Sequence, residues 1–202
     1  MAVMVGRLAD LYVASGTGTV MTGQATTSLG GGVHQITLAA RRAINPNASL
    51  TVLDGVTTVN PANYRVAFGN GKIIFTNGYA PAGAVTVTGQ FLTLSQAAQG
   101  VQWSLDVQTL LEESHTFGDA WKEQTPVMSD ASITFERLYD DSYFPTTIGS
   151  YYVLALYLNV SGGSRYLCAA QCSSAGIVTG NNALIRESAS FSVHGQLDYV
   201  AA

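Results

Sequence analysis

The strongest constraint on this chain is a period of two. Between Trp103 and Asp141 it reads WSLDVQTLLEESHTFGDAWKEQTPVMSDASITFERLYDD, two alternating segments around a central block, Thr116–Glu123, that mixes Gly, aromatics and charges. Trp103, Leu105, Val107 and Leu111 share one parity, while Ser104, Asp106 and Gln108 take the other. After the block, Ile133, Phe135 and Tyr139 fall on one face, with Ser132, Thr134, Glu136 and Asp140 on the opposite one. Successive strand residues point to opposite faces, so the pattern predicts two half-buried strands joined by a loop at the block. The same stretch holds most of the acid. From Gln102 to Asp141 there are nine carboxylates and two bases, a net of −7 against −4 for the whole chain.

The remainder reads as short strands and turns. Ser49–Leu53 ends in Asp54-Gly55 before Val56–Val59, and Tyr64–Phe68 meets Lys72–Thr76 across Gly69-Asn70-Gly71; both are hairpin signals. Ala84–Leu94 alternates Thr and Val. Tyr151–Val160 is apolar throughout, as in a strand covered on both faces, and pairs with Arg165–Cys172 across Ser161–Ser164. Ser188–Tyr199 alternates most cleanly: Phe191, Val193, Leu197 and Tyr199 against Ser190, Ser192, His194, Gln196 and Asp198. Helix is limited to turns near Leu38–Ile44 and Tyr143–Gly149. Strands every 8–12 residues with Gly/Asn turns predict an all-β sandwich or barrel. No linker or repeat splits residues 1–202, so a single domain is expected. Residues 1–32 are expected to form an N-terminal arm, with the uncharged Gly/Thr/Ser segment Ser15–Gly32 either a mobile loop or ordered only by a neighbour.

Charged residues make up only 11% of 202 residues, against roughly 25% in ordinary soluble proteins. So few charges, with 21 glycines, suggest a surface hidden against other subunits; a lone β domain of low charge is the other reading. No apolar run approaches the ~20 residues that span a bilayer, and Arg7 and Asp10 interrupt any leader-like start, so a soluble, unsecreted chain is expected. Arg41-Arg42 is the only adjacent basic pair, far short of a nucleic-acid patch, and points to solvated or inter-subunit ion pairs.

Catalytic chemistry finds no footing. Ser114, His115 and Asp119 are neighbours in sequence, but adjacent strand residues face apart and a triad is assembled in space. Glu112 and Glu113 face apart for the same reason, as do Asp140 and Asp141. Cys168 and Cys172 lie four apart, about 13 Å on a strand at ~3.3 Å per residue, too far to bridge and without a histidine to make a zinc site. They read as buried thiols. No metal motif, phosphate loop or cofactor signature is present, and no enzyme is expected.

Thr116–Asp119, Trp121–Glu123, Asp130–Ser132 and Tyr139–Asp141 form a Thr-Phe-Gly-Asp, Trp-Lys-Glu, Asp-Ala-Ser, aromatic-Asp-Asp progression. This resembles the hallmark region of major tail tube proteins of long-tailed, non-contractile (siphovirus-type) bacteriophages, and the termini MAVMVGRLADLYVASGTGT and FSVHGQLDYV are similar too. Where the family commonly has Pro-Gly this chain has Pro126-Val127, which predicts a different turn there. The resemblance implies an all-β, mainly antiparallel fold, a two-sheet sandwich or small barrel with about one short helix, and homohexameric rings that stack through arms and loops into a tail tube for DNA ejection. It implies no cofactor. It implies as partners other copies of the chain, a tape measure protein, a tail terminator and distal tail proteins, with double-stranded DNA passing unbound and no membrane insertion. The location implied is the virion tail, assembled in the host cytoplasm.

Within that picture the acids gain a role. Duplex DNA carries about one negative charge per 1.7 Å, so an acidic lumen would repel and lubricate it. Asp106, Glu136 and Asp140, on polar faces of predicted strands, are candidates to line the lumen; solvated outer-surface carboxylates are the other reading. Thr116, Phe117, Gly118, Asp119, Trp121, Lys122 and Glu123 are candidates for ring contacts. A tail terminator or completion ring is an alternative. A carbohydrate-binding β-sandwich is another, kept open by ten tyrosines.

Overall fold

The computed structural model describes residues 10–97, 100–114, 123–139, 144–179 and 184–201, with backbone alone at 111–114, 123–128 and 145. Fourteen strands carry the fold: β1 Asp10–Ala14, β2 Thr19–Gly30, β3 Val33–Ile36, β4 Thr51–Asp54, β5 Thr57–Thr58, β6 Tyr64–Ala67, β7 Lys72–Phe75, β8 Val85–Phe91, β9 Ser95–Gln96, β10 Gly100–Ser114, β11 Glu123–Leu138, β12 Tyr151–Tyr157, β13 Arg165–Val178 and β14 Arg186–Val200. Every pairing is antiparallel. Sheet I runs β10-β11-β14-β13-β12-β1-β9 and sheet II runs β5-β4-β8-β2-β3-β7-β6. Helical structure among the described residues is three short 3-10 turns, Ala39–Arg41, Pro61–Asn63 and Pro145–Thr147. The all-β, two-sheet expectation holds.

Each sheet curls around its own core. In sheet I, Leu11, Ile133, Phe135, Tyr152, Leu154, Leu156 and Phe191 are buried together, and Phe144 drops into them from the connection before β12. Its ring meets Phe135 and Phe191 edge-on at 6.0 and 5.6 Å. Full burial of each such side chain contributes about 1.5–3 kcal/mol. Sheet II closes over Met21, Ile36, Ile44, Val52, Ile73, Val85 and Val87. A small cluster of Ala14, Ala43, Leu92 and Val153 seals the seam between the sheets. There Gly69 is so close to the β13 backbone that a Cβ would sit 2.6 Å from the Cys168 nitrogen. Only a glycine fits the contact. Across the same seam Lys72 Nζ donates to Asp198 Oδ1 at 2.7 Å, with the Asp198 side chain only 6% exposed.

The predicted hairpins are present. β4 and β5 turn at Gly55, and β6 and β7 at Gly71, both at positive φ. Tyr152–Leu156 of β12 is buried on both faces, as its unbroken apolar run requires. Four expectations need correction. Ser15–Gly32 is largely β2, ordered by its own chain: its first half pairs with β8 and its second with β3, across a bulge at Gly23. Thr-rich strands suit a pleated surface even when few of their side chains are buried. At Pro126-Val127 no turn occurs; Leu110 pairs with Met128 and Leu111 with Pro126, so Val127 is the extra residue of a bulge inside β11. Arg41 and Arg42 bind within the chain, Arg41 to the Gln24 side chain and over the Phe91 ring, Arg42 to the Ile36 and Thr37 carbonyls. Tyr199 keeps its predicted parity but is exposed, while Asp198 of the polar parity is buried by sheet II.

Candidate assembly surface

β10 and β11 form the longest hairpin of the fold, and sheet I supports only part of it. β14 pairs with β11 from Ser132 to Leu138, so from Asp130 outward β11 has β10 as its one partner among the described strands. The outer part, Val107–Ser114 against Glu123–Ala131, is a two-stranded ribbon of roughly 27 Å at ~3.4 Å per residue. The alternation that seats Trp103 and Leu105 against the core continues into Val107, yet Val107 is 56% exposed and Leu110 63% exposed. An isolated two-stranded ribbon is marginal in water. β10 is moreover an edge strand of 15 residues whose other side has no partner among the described strands. Such an edge is a template for pairing with another chain.

The solvent face of the supported part is polar across four strands. Register places Gln102, Ser104, Asp106 and Gln108 of β10 opposite Glu136, Thr134, Ser132 and Asp130 of β11. Ser188, Ser190 and Ser192 of β14 continue the rows, and Ser174 of β13 extends them. Asp106 and Glu136 therefore share one face. Glu136 lies four residues along β11 from Ser132, the partner of Asp106, or roughly 13 Å at ~3.3 Å per residue.

Their surroundings differ. Asp106 is exposed and accepts from Gln108 Nε2 at 2.6 Å. Glu136 accepts from Arg186 Nη1 at 2.7 Å and from Gln102 Nε2 at 2.7 Å. The Arg186 guanidinium is the main reason its carboxyl is held below the usual range. Exposed Asp130, on the same face, was not among the sequence candidates, although its parity with Ser132 and Thr134 marks it. Among the described residues the face carries the carboxylates Asp106, Asp130 and Glu136 and the Arg186 guanidinium. Asp140 lies outside the described residues.

Thr116, Phe117, Gly118, Asp119, Trp121 and Lys122 also lie outside them. Glu123 pairs with Ser114 at the start of β11, so the block does connect the two strands at the ribbon's far end. Beneath the ribbon the structure holds what sequence reasoning missed. A groove of about 330 Å³ is lined by Val107, Asp130, Ala131, Val193, Gln196 and Leu197. The groove exists because β14 bulges at Gly195: Ala169 faces His194 while Leu167 faces Asp198, and Gly195 takes φ +80°.

Cys168 and Cys172 are buried and unbridged, and burial pushes the Cys168 thiol up to about 12. Burial also raises Cys172, with the Glu187 charge adding to it. Glu187 is fully buried and tied at 2.6 Å to Arg137 Nε, which lies over the Phe144 ring. Its other oxygen accepts the Phe144 N–H at 3.2 Å, an arrangement that locks β11, β14 and the connection before β12 together. Among the described residues no group of His, Cys, Asp and Glu is placed to hold a metal ion, and no helix is long and apolar enough to cross a membrane.

No family model matches the chain, and no curated protein does. Among solved structures, a chain from the "Virion of native gene transfer agent (GTA) particle" overlaps it with a TM-score of 0.45 and 13% identity, over 54% of this chain and 89% of that one. A chain from the "Tail of empty GTA particle computed with helical refinement, C6 symmetry" overlaps with a TM-score of 0.44 and 13% identity, over 54% and 87%. Overlap of that degree carries no function from those particles to this chain.

Proposed function

We propose that this protein is a structural component of a phage-type virion tail that self-assembles into stacked hexameric rings, forming a tube through which DNA passes. The observation that carries the reading is the unsupported ribbon of β10 and β11: a long open edge with Val107 and Leu110 in water. Pairing of ribbons and edges between six copies would bury those side chains and turn separate sheets into one tubular sheet. The resemblance of the Thr116–Asp141 region to tail tube proteins points the same way.

In this reading the serine-rich face of sheet I lines the lumen. Hydroxyl and amide groups hold water, and Asp106, Asp130 and Glu136 repel the phosphate backbone, so DNA finds no base-edge or phosphate contact to arrest it. Arg186 is tied to Glu136, which keeps its charge from acting as a phosphate clamp. Asp140 completes the set, and the 116–123 block contributes ring contacts. Tape measure, terminator and distal tail proteins would meet the lumen and the two ends of the tube.

The test is a triple substitution, Asp106→Lys, Glu136→Lys and Asp140→Lys, in assembling protein. Negative-stain microscopy should show tubes of normal width, while particles built with them should eject DNA slowly or not at all. Normal ejection would remove the lumen assignment. Wild-type protein that stays monomeric at high concentration would remove the tube itself.

A further inference from the structure

Where the two sheets meet, the seam is not filled to the surface. Beside the packed Ala43 and Leu92, a cleft of about 310 Å³ is walled by Phe91 and Leu94 at the end of β8 and beyond it, and by Tyr157, Arg165 and Leu167 of sheet I. An apolar cleft of this size between two layers, with few polar groups, is the usual form of a small-molecule site. Its polar group is Arg165. The guanidinium lies 5.3 Å from the Tyr157 ring centroid, and Nη1 donates to the Gly163 carbonyl at 2.9 Å. Those two contacts hold the fork in place. Among the described residues its other N–H groups have no partner and no carboxylate stands within ion-pair distance. Neighbouring acids are already taken. Asp198, across from Leu167, binds Lys72, and Asp10, across from Tyr157, accepts from Gln96 and from the Leu11 N–H. A second guanidinium, Arg41, lies over Phe91 and donates to the Gln24 side chain. Both aromatic walls therefore carry a cation, in a chain whose net charge is −4.

We propose that this cleft binds a small amphiphile, with an apolar chain seated among Phe91, Leu94, Tyr157 and Leu167 and a terminal carboxylate received by Arg165. A guanidinium is planar and presents paired N–H groups that match the two oxygens of a carboxylate. Held by the Gly163 carbonyl and the Tyr157 ring, this one loses little freedom when the ligand arrives. The apolar walls supply the rest of the affinity, about fourfold for each methylene taken out of water. The ligand touches both sheets, so it ties them together at the seam alongside Lys72 and Asp198 and stabilises the fold by mass action. The cleft shares no residue with β10 or β11, and the proposal stands with or without the tube reading.

Octanoate titrated into the methyl-labelled full chain, followed by NMR, tests the assignment. The expected result is saturable shifts of the Leu92, Leu94 and Leu167 methyls, with the uncharged analogue octanol binding about tenfold or more weakly. Arg165→Gln should weaken octanoate by about that factor and leave octanol unchanged, so that the two ligands bind alike. Ala40→Trp, at an exposed position on the cleft wall, should abolish binding of both while the free protein unfolds at its usual temperature. Absence of shifts at those methyls would overturn the proposal, as would equal affinity for octanoate and octanol in the wild type. That comparison needs no variant, so a substitution that folds poorly leaves the test intact. An Arg165→Gln chain that keeps the preference for octanoate would remove Arg165 from the site and overturn it too. A leucine-terminated peptide acid binding about tenfold tighter than octanoate would give the cleft to a protein C-terminus instead.

Discussion

The hairpin of β12 and β13 and the hairpin of β10 and β11 belong to one sheet and meet opposite fates. Tyr152–Leu156 is buried on both faces, one against the sheet I core and the other at the seam with sheet II. Val107–Leu110 is exposed on both faces, although Val107 and Leu110 are as apolar as many core residues. The difference lies in what surrounds each strand. β12 is flanked by β1 and β13, while among the described strands the outer ribbon has no third strand. The first hairpin holds the fold together; in the proposed tube the second is finished by another copy. Stability and the proposed assembly are then separable properties of neighbouring strands.

Thiol chemistry should separate the regions most widely. With Cys168 pushed up to about 12, its thiolate is scarce at pH 8, and labelling there should run roughly a thousandfold slower than at an exposed Leu110→Cys with an ordinary thiol pKa near 8.5. On assembly, Leu110→Cys should become protected and Cys168 should not change. Labelling of Leu110→Cys at one rate before and after assembly would place the ribbon outside the interface.

Next in size is the buried ion pair. Glu187→Ala removes a fully buried carboxylate that binds Arg137 and the Phe144 N–H, and should cost up to about 3–5 kcal/mol in urea unfolding. Leu154→Ala should cost about 2–5 kcal/mol by opening a cavity, whereas Leu110→Ala should change monomer stability by no more than about 0.5 kcal/mol. That pair of alanines is the direct measure of the contrast, and equal losses would break it.

The smallest effect is a pH dependence. The Glu136 carboxyl is held below its ordinary value when folded, chiefly by Arg186. Its stabilising share is therefore present above the ordinary carboxylate range and lost as pH falls through the lowered folded value. Thermal unfolding of wild type should show a slight extra loss in that acid window. The loss should be absent in Arg186→Gln, and should not move with Leu154→Ala.

Much of this molecule is written in its period-2 patterns. Alternation at Trp103–Leu105, Ile133–Phe135 and Phe191–Val193 names core-facing positions correctly because parity fixes which face of a sheet a side chain takes, and here that face is covered. The unbroken run of β12 announces two covering layers, and the Gly55 and Gly71 turns follow from residues that tolerate positive φ. The carboxylates Asp106 and Glu136 are also legible, since their parity fixes a shared face. What parity does not contain is the supply of neighbours. Val107 continues a core pattern into water because β14 reaches β11 only at Ser132. Asp198 sits on a polar parity yet is buried because sheet II brings Lys72 to it. The Gly195 bulge, which opens the groove, depends on strands far apart in sequence agreeing on a register, and the Ser15–Gly32 segment becomes β2 because β8 and β3 both accept its backbone hydrogen bonds. The sequence by itself determined which way each side chain points. Tertiary structure decided what, if anything, lies in that direction, because burial is a property of layers and a strand carries information about only one.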